Sequence, residues 1–170
     1  RVAETKEKLV KKKLLAINFF PSFTPPITGG EQRSFFLLKA LAQDFDVVSV
    51  VPTYPDTRRE TVQLAPGLTE VRFPKTKEYS AVYGQLLREK EPIHTTAMSY
   101  ALAGACHGAM LDYLAEIWDS IDGVVLQHAT CAAILDALRL PRKPTFYLSH
   151  NCEFELAANA YTQRDKHDYA

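Results

Sequence analysis

The sequence predicts an α/β fold: a doubly wound, mostly parallel sheet with helices on both faces. Three observations carry this expectation. Short apolar runs recur, LLAINFF (14–20), DVVSVVP (46–52), DGVVLQH (122–128) and TFYLSH (145–150), each the length of a buried strand. Segments with apolar residues at helical spacing lie between them. The alternation of the two kinds is that of a parallel sheet covered on both sides, which binds ligands outside the carboxyl ends of its strands.

Each element has its own local reason. The first strand, 14–20, is stopped by Pro21, and the helix after it carries Phe35, Leu38, Leu41 and Ala42 on one stripe. The β-branched run 46–52 ends on Pro52. Residues 53–67, rich in Pro, Thr and charge, read as a loop with at most a short extended piece. LTEVRF (68–73) alternates as an edge strand does. A polar helix is expected over 77–91, stopped near Pro92. A long one follows over 96–120, with Met110, Leu114, Ile117 and Trp118 on one stripe. Residues 131–140 form a short helix closed by Pro141, 145–150 the next strand, and the segment from Glu153 opens another helix.

A chain of 170 residues is long enough to bury a sizeable core, and 46% hydrophobic with 24% charged residues is a globular balance. The formal net charge is zero, so the basic excess that marks nucleic-acid binding is missing. The one basic run, KEKLVKKK (6–13), reads as a solvated lead-in over 1–12, a basic membrane or partner patch being the lesser reading. No apolar segment has the length of a bilayer span. Three cysteines at irregular spacing make no disulfide framework, which points to a reducing, cytoplasmic setting. The absent initiating Met and the ending TQRDKHDYA suggest a piece of something longer.

Three strand ends are where chemistry is to be sought. At Thr28-Gly29-Gly30-Glu31 a glycine pair opens a helix. Thr28 and Glu31 have the spacing of a capping box, and the glycine amides with the helix dipole are suited to an anion, with Arg33 adding charge nearby. The glycines suggest either unusual backbone angles or close approach of a ligand. The pattern is neither GxGxxG nor GxxxxGK[ST], which disfavours dinucleotide and P-loop chemistry. His128 and His150 each end a strand on the predicted ligand side, where imidazole donates hydrogen bonds or exchanges protons near neutral pH. Asn151 and Glu153 follow His150, and Glu153 either faces ligand or opens the helix. His128-x-x-Cys131 with His150-x-Cys152 supplies a zinc set in principle. The spacing fits no usual pairing, and Cys131 falls where a helix packs, so no metal is expected. His107 reads as a core or boundary residue.

The order of strand, Pro-rich loop, Gly-Gly-Glu-x-Arg helix start and ALAQDFDVVSVVP resembles the amino-terminal domain of the group 1 retaining glycosyltransferases, which have the GT-B architecture. DGVVLQHAT and KPTFYLSHNCEFE are similar to two further strand ends of that family. The resemblance spans most of 13–160 and implies a Rossmann-like acceptor-side domain over 13–170. It implies a nucleotide-sugar donor as substrate, an unidentified acceptor, and no metal or other cofactor. On its terms Gly29 and Gly30 lie near the donor's diphosphate and the acceptor, with Glu31 and Arg33 beside them. It also puts His128 close to the transferred sugar and His150 along the acceptor side, and residues 53–67 and 74–96 where relatives recognise acceptors. The family's second, donor-binding domain has no counterpart in this sequence, which implies half an enzyme, inactive alone. Two readings compete with a hexosyltransferase: a non-catalytic α/β binding domain, and a stand-alone small-molecule enzyme of flavodoxin-like topology.

Overall fold

The computed structural model describes residues 10–22, 24–89 and 107–148. Their strands are β1 (Lys13–Ile17), β2 (Asp46–Thr53), β3 (Glu60–Ala65), β4 (Leu68–Pro74), β5 (Gly123–Leu126) and β6 (Thr145–Tyr147). Their helices are α1 (Gly29–Leu41), α2 (Lys77–Glu89), α3 (Gly108–Ile117) and α4 (Ala132–Leu138). Single 3-10 turns at Trp118–Ser120 and Ala129–Cys131 follow α3 and precede α4.

The strands form one sheet in the order β3-β4-β2-β1-β5-β6, parallel at every pairing except the antiparallel β3–β4. Alternation along β1 divides the core. Leu15 and Ile17 pack with Val50, Val71, Met110, Leu114 and Ile134, on the side of α3 and α4. Leu14 and Ala16 pack with Leu38, Ala42 and Val47, on the side of α1. This split follows from side chains pointing to opposite faces at successive strand positions. Right-handed crossovers place helices on opposite faces when the chain leaves β1 toward β2 and later returns to β5 on the other side of β1. The carboxyl ends of β1 and β5 therefore form the switch point, the crevice where open α/β sheets take ligands.

The doubly wound sheet stands as expected, with four differences in detail. The short extended piece allowed within residues 53–67 is a six-residue strand, β3. Consequently β4 is not an edge strand; it lies between β2 and β3, and β3 takes the edge. Glu70, within that alternating run, is fully buried. Third, no single helix runs through residue 107: α3 starts at Gly108, after a His107 with non-helical φ −95° and ψ 53°. His107 itself is a core residue. Fourth, β1 ends at Ile17, three residues early, and the Asn18 that follows it is buried. Cys131 is buried in the core beside Ile134, as the packing reading of it expects.

Candidate functional site at the switch point

The β1–α1 loop is held at both ends by polar contacts. At its start the Ser22 amide donates to both carboxylate oxygens of buried Glu70, at 3.1 and 3.0 Å, and the Ser22 carbonyl accepts from Arg72 Nη2 at 2.8 Å. Arg72 bridges Glu70 at 2.7 Å and Glu60 at 2.8 Å. A buried carboxylate is tolerable only when paired and hydrogen-bonded, and this one is both. At the loop's end Thr28 is the N-cap of α1. Its hydroxyl accepts from the Glu31 amide, and the Glu31 carboxylate accepts from the amides of Ile27 (2.8 Å) and Thr28 (3.1 Å). The Ile27 bond, with that to Thr28, holds the Glu31 carboxyl below the usual range. The capping box is present, and the structure gives the Glu31 carboxylate that role.

Gly29 and Gly30 are the first two residues of α1, and both are exposed. Neither has a positive φ, and a Cβ added to either meets nothing within 4 Å. Of the two reasons for a glycine pair, unusual angles are therefore excluded and room for close approach remains. Arg33 lies one turn further along α1, also exposed.

Beneath the helix start three uncharged polar side chains meet, all buried: Asn18 after β1, Ser34 in α1 and Gln127 after β5. Asn18 Nδ2 donates to Ser34 Oγ at 3.2 Å and to Gln127 Oε1 at 3.4 Å, Ser34 Oγ donates to the same Gln127 oxygen, and Asn18 Oδ1 accepts from the Phe19 amide at 2.8 Å. Buried hydrogen bonds of this kind favour one arrangement of the elements they join. Here they join the ends of the two switch-point strands to the first turns of α1. His128 follows Gln127 directly. Its half-buried ring lies 4.1 Å from the Phe19 centroid and 5.8 Å from that of Phe20, so the residues after β1 orient it.

Gly29, Gly30, Glu31, Arg33 and His128 thus belong to the same edge of the sheet. His150, Asn151 and Glu153 lie outside the described residues. Asn18, Ser34, Gln127, Glu70 and Arg72 were missed by sequence reasoning; for Asn18 and Gln127 the signal available was a polar residue at the end of an apolar run. Among the described residues no group of three or more His, Cys, Asp or Glu side chains could hold a metal ion. Nor is any helix among them long and apolar enough to cross a membrane.

No protein-family model and no curated protein sequence matches the chain. Solved structures do match it. An α,α-trehalose 6-phosphate synthase from Burkholderia multivorans is similar at a TM-score of 0.52 and 12% identity, over 81% of this chain and 33% of its own. An α,α-trehalose-phosphate synthase (UDP-forming) from Burkholderia vietnamiensis is similar at 0.50 and 13%, over 81% and 32%. What is shared is the Rossmann-like fold, a mostly parallel sheet covered by helices. At this identity the likeness is one of fold, and the chain spans about a third of the length of either synthase. A third structure, described as trehalose-6-phosphate from E. coli bound with UDP-2-fluoro glucose, is similar at 0.46 and 13%, over 75% and 30%, too loosely to add to the fold.

Proposed function

We propose that the chain is the N-terminal, acceptor-side half of a cytoplasmic hexosyltransferase of GT-B architecture, using a nucleotide-sugar donor and no metal. The observation that carries this reading is the glycine pair. At the first two positions of α1, beside the switch point, two residues without side chains serve neither backbone nor packing. What they leave open is the approach of an anion to helix amides and to the positive end of the helix dipole.

The donor's diphosphate is the anion proposed. As the sugar bond breaks, negative charge grows on the departing diphosphate, and amides already aimed at it stabilise that charge without reorganisation. His128, seated between the β5 end and Phe19, is assigned to the transferred sugar, donating a hydrogen bond to a hydroxyl. His150, Asn151 and Glu153 are assigned to the acceptor side. A second Rossmann-like domain supplies the remaining nucleotide contacts, so this half alone turns over no substrate.

The test is transfer by the native gene product, offered a panel of radiolabelled nucleotide-hexoses beginning with UDP-hexoses, and a mixture of sugar acceptors. The expected result is release of nucleoside diphosphate matched by labelled glycoside, falling about a hundredfold or more in His128→Ala. Absence of transfer from every donor, or full activity in that variant, contradicts the proposal.

A further inference from the structure

The glycine end of α1 has little apolar hold on the sheet. None of residues 29–33 is buried; Ser34 is the first residue of the helix that is, with Phe35 and Leu38 after it. Leu38 packs in the cluster of Leu14, Ala16 and Val47. Apolar contact is non-directional, so it holds the helix down without fixing where the first turn lies. Hydrogen bonds are directional. The Ser34 hydroxyl accepts from Asn18 Nδ2 at 3.2 Å and donates to Gln127 Oε1. Both partners are anchored by backbone: the Asn18 amide donates to the Val50 carbonyl, and the Gln127 amide to that of Ile17, each at 3.3 Å. They continue the sheet one position beyond β1 and β5, and Ser34 ties the helix to that rigid support.

Gln127 also precedes His128. Its side chain reaches Ser34 on the α1 side, whereas the His128 ring lies against Phe19, which packs with the core on the α3 side. Successive strand positions point to opposite faces, so holding one side chain sets the backbone that carries the other. The Gln127 amide thus stands between the two parts of the site, the helix amides and the imidazole. The fold alone does not call for this pair. Replacing both partners of a buried hydrogen bond by apolar groups of the same shape can be nearly neutral for stability. A site is more demanding: groups that act on one ligand must be held within about 0.5 Å, and an error of roughly 1 Å costs about a hundredfold in rate.

We infer that Ser34 and Gln127 are positioning residues, which set the glycine end of α1 against His128. That the positioned groups act on a sugar diphosphate rests on the transferase reading. The positioning itself rests on the hydrogen bonds and is read without any transfer.

The test compares the native gene product with its Ser34→Ala, Gln127→Met and doubly substituted variants. Alanine is the better helix former and methionine adapts to the space of glutamine, so the fold is kept. Each single substitution should lower kcat per folded molecule roughly tenfold at little changed KM, and the double no further, since both remove the same bond. NMR of product labelled at glycine nitrogen and histidine carbon reads the coupling across the network. Ser34→Ala should shift the His128 ring signals, and Gln127→Met the amide signals of Gly29 and Gly30. A role in stability alone would lower the denaturation midpoint and leave kcat and those crossed signals in place. Unmoved crossed signals, an unchanged kcat in an active product, or a double variant slowed by the product of the two singles overturns the inference. Crossed shifts in a native product that transfers no sugar would refute the transferase and leave the positioning standing.

Discussion

Two glycine sites in this molecule look alike in the sequence and differ in what they answer to. Gly67 turns β3 into β4 with φ +75°, and an added Cβ would stand 2.8 Å from the Ala42 carbonyl oxygen. Its own carbonyl accepts the Val47 amide at 2.8 Å, tying the turn to the start of β2. Gly29 and Gly30 have ordinary φ and empty surroundings. The fold requires the first glycine and is indifferent to the other two. The charges at the β4 end show the fold's own pairing, with Glu70 buried against Arg72 at 2.7 Å. The glycine pair that the fold does not explain is the one assigned to a ligand.

Substitution sharpens the contrast. Gly67→Ala is expected to cost about 3 kcal/mol, the sum of a left-handed penalty and overlap with backbone, read as a fall in the denaturant midpoint. A loss within a few tenths of a kcal/mol would erase the distinction between the two sites.

His107 should behave as the fold's own residue, by a smaller measure. Its folded pKa of about 4 lies below the usual 6.5, so the neutral form is the one the folded state favours. The unfolded chain binds the proton more readily, and the stability this group contributes is present above pH 6.5 and lost as pH falls toward 4. Between pH 7 and 5 the expected loss is about 2 kcal/mol. His107→Gln should flatten that part of the profile in denaturation experiments, and an unaltered slope would contradict the burial assigned to the ring.

How much of this was legible in the sequence divides along physical lines. The buried parallel strands announced themselves as short apolar runs, because a strand covered on both faces has no polar side to show. β3 did not, since ETVQLA is an exposed edge with mixed polarity. β4 was misplaced because its alternation of polar and apolar residues is that of a half-exposed strand, whereas Glu70 in it is buried against Arg72 and the Ser22 amide. The glycine pair and its capping box were readable because a cap is local in sequence. The network beneath them was not: its partners are separated by 16, 93 and 109 residues, and no local pattern links them. Uncharged polar residues at strand ends become informative only when the topology brings them together.

The most direct test of the central claim uses the glycines that the fold does not need. Stability and sugar transfer should be measured side by side for the native gene product and its Gly29→Ala/Gly30→Ala variant. The account predicts unchanged stability, or a gain of up to about 1 kcal/mol from the better helix former, together with a fall in transfer of roughly tenfold or more as methyl groups obstruct the diphosphate. A variant equally stable and fully active would show that no ligand approaches this helix start, and would contradict the account.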